Sequence, residues 1–393
     1  MAKYFPIRRR FQIFFTLQFA GVAMFMPYVA LYLNHIGLSG AQIGILLGMM
    51  PLVAFLIQPL WGLLSDIYSL RRTALTIGCL GVALSVAAFG LTTQFHWLFI
   101  ITIIMAVMRG PIMPISTALA LEHLEREKRQ DDFGALRLWG SIGFILTSLF
   151  MGVLIIEDSI QAIVILYSAN MFIVTLLSLT LPDAPITQKA KWREGATLLK
   201  REPILATFLV GSLFVGMTLG IVNQYLAVYL KDIAATGFII GLAMAISALP
   251  EIPLMAAVPK MMTRWGLRVV LIGGIAVLPI RWFLYSVIDN PLLVLPTQLF
   301  HGVAMTAILV VGVIYVDRLL TRQWRATGQT LYSATLHGVG PSLGLFSAGF
   351  LYEFGGIAPV WIFCTVIGLT GLTVIAWAVR MPSLQRVAER SRP

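Results

Sequence analysis

A chain of 393 residues with 59% hydrophobic and 11% charged side chains, and a mean hydropathy of +0.89, has no water-soluble way to hide its apolar surface. Its net charge of +11 would suit nucleic acid only if the cations shared one soluble face, and here they lie between apolar runs. Composition and charge exclude a nucleic-acid binder and point to a polytopic membrane protein.

In chain order, "KYFPIRRR" precedes an apolar stretch from Phe11 to about Leu33. That stretch is too long for a signal-peptide core, and no small-residue cleavage site follows, so it is the first span. A window of about 20 residues predicts twelve transmembrane helices over 11–35, 42–64, 73–93, 97–121, 134–155, 160–181, 204–230, 238–259, 268–288, 292–316, 327–351 and 357–379. Backbone groups in lipid must bond internally, and period-2 alternation is absent, so the expected class is an all-α membrane protein. The polar, basic segment 183–203 divides a bundle over 1–182 from a second over 204–393, the latter ending in a basic tail.

Cys79 and Cys364 fall inside apolar runs, which suggests neither a disulfide framework nor a metal site. No G-x-x-x-x-G-K-[ST] occurs, so no ATP-binding phosphate loop is expected. "GPSLG" (340–344) mimics a nucleophile elbow but sits in a continuous apolar helix, where the strand and sharp turn that such a serine needs are missing. No enzyme activity, cofactor or metal is expected.

With the N-terminus placed in the cytoplasm, 25 of the 28 Lys and Arg fall in cytoplasmic segments, and the far side keeps only Lys231. This positive-inside asymmetry places both termini in the cytoplasm of a bacterial-type inner (plasma) membrane.

An internal repeat follows. At an offset of 197, "YVALYLNHIGLSGAQIG" (28–44) lies on "YLAVYLKDIAATGFIIG" (225–241) with eight of seventeen identities, among them Tyr28/Tyr225 and Gly44/Gly241. The same offset carries Asp66–Arg72 onto Thr263–Val269 and pairs Arg71 with Arg268. Two six-helix halves of common origin are the signature of a transporter whose halves rock about a central site.

These features resemble the major facilitator superfamily, over the whole chain. Gly62, Asp66, Arg71 and Arg72 resemble its loop 2–3 motif, which implies a cytoplasmic gate that Arg268 would repeat in the second half; Ile67 and Leu70 depart from the motif. The bland alternative is a cationic turn with a helix-capping Asp. "FGALRLWGSIGF" (133–144), "IRWFLYS" (280–286) and the stretch 299–334 are similar to the branch that holds lactose permease, nucleoside proton symporters and the 3-phenylpropionate permease group. That resemblance implies sugar-binding or proton-coupling positions for Arg137, Arg281 and His301. Ala304, Asn223 and Gln298 replace charged members of the lactose permease pattern, which argues against a lactose-type site.

Buried charge selects residues independently, since an ionisable group at mid-bilayer costs about 2.5 to 3.5 kcal/mol or more and must face a cavity or a partner. Arg109 and Arg281 are the deep cations, and Glu251 is the one clearly deep acid. Arg109 lies about 18 Å down its helix at ~1.5 Å per residue, where it either contacts substrate or is neutralised by carbonyls that Pro111 and Pro114 free. Glu251, between Pro250 and Pro253, is either a proton carrier or a structural carboxyl. Glu122, at a membrane edge, is a second possible carrier beside its plain reading as part of a solvated loop. His301 shares a face with Gln298 at i, i+3 and either couples protons or packs. Gln18, Asn223 and Gln224 either orient a ligand or join helices, and Trp139 either stacks an aromatic solute or packs.

The expected function is proton-coupled symport of a small organic solute by alternating access, favouring an aromatic monocarboxylate of the 3-phenylpropionate type. The alternatives are a sugar or nucleoside proton symporter and a drug or sugar efflux antiporter, with a polytopic membrane enzyme remote. Expected partners are the solute, the proton and the lipid bilayer, without nucleic acid, for a monomeric chain.

Overall fold

The computed structural model describes residues 6–67, 70–128, 132–154, 160–183, 198–199, 202–321 and 324–381, and helices alone make up its regular structure. They run α1 (Ile7–Phe25), α2 (Val29–His35), α3 (Gly40–Ile67), α4 (Arg71–Phe89), α5 (Phe95–Arg109), α6 (Ile112–Arg126), α7 (Phe133–Leu154), α8 (Ala162–Ser178), α9 (Pro203–Asp232) and α10 (Gly237–Ala248). There follow α11 (Glu251–Val287), α12 (Pro291–Thr297), α13 (Leu299–Thr306), α14 (Val313–Leu319), α15 (Arg325–Ala334), α16 (Gly340–Gly355) and α17 (Ile357–Arg380). π-helical turns at Ala307–Gly312 and Thr335–Val339 join α13 to α14 and α15 to α16.

Among the described residues nine helical stretches are long and apolar enough to cross a membrane. One of them, Gly237–Val287, turns at Gly266, whose φ of 79° and ψ of 154° suit only glycine, so it holds two arms. With the shorter Ala162–Ser178 and the run Arg325–Gly355, the crossing segments are the twelve that the sequence predicts.

Four of the predicted spans are interrupted: at Met26–Tyr28, at Gly110–Pro111, at Leu249–Pro250 and at Gln298. The first three breaks hold a proline (Pro27, Pro111, Pro250) and Pro296 lies two residues before the fourth; proline lacks the N–H that would continue the ladder and crowds the carbonyl four residues back. Most of the linker 183–203, the tail beyond 381 and the side chain of Asp66 lie outside the described residues.

The residues group into two compact units. The first comprises Met1–Lys189, Asn223–Ala245 and Phe346–Glu353. In it α1 packs on α7 so closely that a Cβ at Gly143 would lie 2.9 Å from the Thr16 carbonyl carbon. The Asn170 side chain ties α8 to the Leu17 carbonyl of α1 at 3.0 Å. Glu353 accepts from the Ala41 N–H at 2.6 Å and the Ser39 hydroxyl at 3.1 Å, capping the N-terminus of α3. Such close approach fits association in lipid, where packing and hydrogen bonds replace the hydrophobic drive between helices.

The second unit comprises Ala190–Val222, Ile246–Leu345 and Phe354–Pro393. Its centre is aromatic: Trp282 of α11 stacks on Trp361 of α17 with ring centroids 5.9 Å apart and planes at 18°. The Tyr332 hydroxyl donates to the Ile308 carbonyl at 2.9 Å, satisfying an acceptor in the first π turn.

Close packing of α7 on α10 gives a test. A Cβ at Gly152 would sit 2.8 Å from the Gly241 Cα, whereas one at Gly134 meets nothing within 4 Å. Gly152→Ala is expected to cost about 1 to 3 kcal/mol and to lower the thermal midpoint in detergent, while Gly134→Ala leaves it unchanged or raised. Equal midpoints for the two variants would remove the contact.

Candidate functional site

Two polar clusters stand out against the apolar interior, one in each unit. In the first unit, the break after α1 leaves Met26 facing Arg109, the last residue of α5, with Nη1 3.0 Å from the thioether sulfur. Gln224 on α9 reaches the same sulfur with Nε2 at 3.5 Å. Gln18 on α1 contacts the Met113 sulfur at 3.7 Å. A thioether is a weak acceptor, so these donors are held softly. Arg109 also sits where the C-terminal carbonyls of α5 favour a cation, which is the neutralisation the proline-rich sequence around it implies.

Among the buried polar atoms of this unit without a hydrogen-bond partner among the described residues are four from neutral side chains on α1, on α9 and at the α1–α2 break: Gln18 Oε1, Gln224 Oε1 and the hydroxyls of Tyr28 and Tyr225. The two tyrosines are the repeat-matched pair, and each is 0% exposed. Buried polar groups are ordinarily bonded, at a cost of about 1 to 3 kcal/mol when they are not. Each of the four offers a neutral donor or acceptor of the kind a polar solute could meet.

Other sequence-selected residues of this unit lie apart from that thioether cluster in their bonding. Arg137 lays its guanidinium 3.7 Å over the Phe19 ring. Trp139 is 41% exposed, and Asn223 is exposed. Arg71 pairs with Glu122 at 3.1 Å, which joins an expected gate cation to an expected proton carrier. The Arg72 backbone N–H donates to Asp183 at 3.3 Å.

In the second unit, Arg281 on α11 is 1% exposed and fully engaged. Its Nε donates to the Tyr285 hydroxyl at 2.8 Å, Nη2 to Gln298 Oε1 at 2.5 Å, and Nη1 meets His301 Nδ1 at 3.1 Å. Gln298 Nε2 donates to the Tyr285 hydroxyl at 2.7 Å, closing a ring of bonds. The i, i+4 spacing of Arg281 and Tyr285 is the signal that could have identified Tyr285.

Arg281 carries only donors, so His301 Nδ1 must accept from it, and the neutral imidazole then holds its proton on Nε2. That Nε2 lies 3.8 Å from Glu251 Oε1. Arg281 and Glu251, which the sequence gives no reason to pair directly, are therefore linked through His301. Glu251 is the first residue after the Pro250 break, on the first turn of α11. Arg268, just past Gly266, is exposed. His337 lies in the second π turn, and Ser342 donates to the Gly338 carbonyl at 2.9 Å inside its helix, as a packing serine does. Among the described residues no group of three or more His, Cys, Asp or Glu could hold a metal ion.

A family model described as MFS_1 like family matches residues 9–363. The chain is 30% identical over 376 residues to the maltose permease of Geobacillus stearothermophilus, covering 93% of this chain and 94% of that one. It is 21% identical over 346 residues to the xanthosine permease of Escherichia coli (strain K12), covering 82% of each. In fold it is similar to the nucleoside transporter NupG, with a TM-score of 0.83 at 19% identity over 96% of this chain and 100% of that one.

The ring around Arg281 makes a stability prediction. Gln298→Leu removes the acceptor of one charged hydrogen bond from a buried guanidinium and should cost about 1.5 to 3 kcal/mol, read as a lower thermal midpoint. Gln298→Glu supplies a charged acceptor and should hold the midpoint better than Leu does; equal losses would show that the bond carries little.

Proposed function

The chain belongs to the MFS_1 like family of major facilitator transporters, and on that premise we propose that it takes up a neutral sugar or glycoside by proton-coupled symport. The observation that carries this reading is the open quartet of Gln18, Tyr28, Gln224 and Tyr225. Two tyrosine hydroxyls and two amide oxygens match a solute rich in hydroxyls, each of which both donates and accepts. Arg109, bonded to a sulfur, gains a better acceptor when a solute oxygen displaces the thioether. The maltose and xanthosine permeases among the relatives favour the same solute class.

Proton coupling falls to Glu251 and His301. A proton on Glu251 removes the carboxylate that faces His301 Nε2–H. A proton on His301 Nδ1 would break its bond from Arg281. Each event alters the support of a buried cation, and a transporter that lets those states favour different access couples proton to solute. The Arg71–Glu122 pair braces the end that the cation distribution assigns to the cytoplasm, with both termini on that side of an inner membrane. Bundles 1–182 and 204–393 would rock about a central site.

The aromatic monocarboxylate favoured by sequence is the second reading. What supports it is Arg109, whose planar fork suits a carboxylate and which has no acidic partner within 4 Å among the described residues.

Binding of maltose, xanthosine and 3-phenylpropionate to the purified protein separates the two readings. A neutral glycoside should bind, and Gln18→Leu or Gln224→Leu should each weaken it about tenfold, the equivalent of one lost hydrogen bond. Binding of 3-phenylpropionate alone, lost in Arg109→Gln, would reverse the order. In vesicles, Glu251→Gln should abolish accumulation driven by a pH gradient while leaving solute exchange intact. Undiminished accumulation by that variant would move the proton site elsewhere.

A further inference from the structure

At the Gly266 elbow of α11 the second unit holds a cavity of about 260 Å³, walled chiefly by Met261, Trp265, Val269, Val270, Gly273 and Thr306. It is open at Gly273, where an added Cβ would meet nothing within 4 Å. Its lining is apolar apart from Thr306, whose buried hydroxyl has no hydrogen-bond partner among the described residues. Three cations, Lys260, Arg264 and Arg268, lie exposed along the same elbow. No carboxylate comes within 4 Å of any of them among the described residues, and Asp317, toward the end of α14, is engaged by Arg325 at 3.3 Å. Arg264 also lies 5.7 Å over the ring of Trp265, a residue type suited to the lipid–water boundary.

The internal repeat sharpens the charge imbalance. Arg71 and Arg268 are matched positions, yet Arg71 has Glu122 at 3.1 Å while Arg268 has no acid within 4 Å among the described residues. Asp66, the acid of the first-half motif, is matched by Thr263. The second half keeps one matched cation, Arg268, adds Lys260 and Arg264 where the first has Leu63 and Ile67, and has Thr263 in place of the acid, beside a greasy cavity with one polar handle.

We propose that this elbow is a binding site for one anionic phospholipid. An acyl chain fills the cavity, the ester region meets the Thr306 hydroxyl, and the headgroup phosphate lies on Lys260, Arg264 and Arg268. Charge complementarity selects this occupant: the elbow is on the face that the cation distribution assigns to the cytoplasm, where anionic lipid attracts basic groups. A neutral lipid would leave three cations unanswered, and a soluble anion would leave the cavity unfilled. The site touches the coupling machinery from behind, because Leu254 and Val303, one turn from Glu251 and two residues from His301, also line the cavity. A bound chain there biases the packing of α11 against α13, so anionic lipid tunes transport without meeting the solute.

The full chain purified in detergent tests this by native mass spectrometry, with phosphatidylglycerol and phosphatidylcholine of identical acyl chains as probes. One phosphatidylglycerol should be retained in preference, and Lys260→Gln and Arg264→Gln should each weaken retention about fivefold. Gly273→Leu should fill the cavity and abolish retention, while Gly273→Ala keeps it; the thermal midpoint reports that each variant is folded. Equal retention of the two lipids would overturn the proposal. So would unchanged retention in Gly273→Leu, or displacement of phosphatidylglycerol by glycerol 3-phosphate at the same concentration as by the lipid itself, which would mark a surface charge patch without a chain site.

Discussion

Everything in this structure answers to one constraint: in hydrocarbon each backbone N–H and C=O must find its partner inside the protein. Helices satisfy it, so departures from helix are costly and survive only beside protein or a cavity that receives them. Three of the four breaks lie at or beside polar residues selected on other grounds: Arg109 ends α5, Glu251 opens α11 and Gln298 separates α12 from α13. The fourth, after α1, brings the Met26 sulfur to Arg109. The π turns obey the same rule, since the Tyr332 hydroxyl answers the Ile308 carbonyl and His337 occupies the other. At Arg109 broken backbone and buried charge coincide, and the C-terminal carbonyls of α5 favour the cation there.

The internal repeat shows how one ancestral unit was put to two uses. In burial the halves agree at Tyr28 and Tyr225, which are matched and both buried with open hydroxyls, although α9 runs unbroken where the first half breaks at Met26–Tyr28. Where charge is concerned they diverge. The first unit holds its deep cation softly, through sulfur, and pairs Arg71 with an acid. The second locks its deep cation in a ring of neutral partners and leaves Arg268 exposed. Soft contacts yield easily to a solute oxygen and a locked ring does not, which is why the proposed function gives solute binding to the first cluster and proton coupling to the second.

Much of this was legible in the sequence because scarcity is informative in a greasy chain. Apolar runs of membrane length give the spans, and the few charges inside them single out Arg109, Glu251 and Arg281. Pro250 beside Glu251 foretells the break there. What stayed hidden lacked a local signal. Met26 is one of 17 methionines, and nothing in its neighbours marks its sulfur as the acceptor for Arg109. The Glu353 cap on α3 joins residues 312 positions apart. The π turns arise from tertiary packing, and no residue pattern announces them. The solute was the weakest expectation, because family resemblance weighed one cation more heavily than the open neutral atoms, whose openness only coordinates reveal.

The neutral ring around Arg281 also explains why a single acid suffices for the proposed coupling. Had a carboxylate replaced Gln298, Arg281 would be neutralised permanently and indifferent to protons elsewhere. With Gln298, Tyr285 and His301 as partners, the guanidinium is satisfied in geometry but keeps its charge, and its route to an anion runs through His301 to Glu251. An uncompensated charge in a low-dielectric interior is sensitive to any change of charge within reach. Protonating Glu251 removes the one negative group linked to it, and the cation must then be stabilised by water or by a solute dipole. On the proposed coupling, the ring is most stable with the proton absent, and with the proton present the balance moves toward a state that hydrates Arg281.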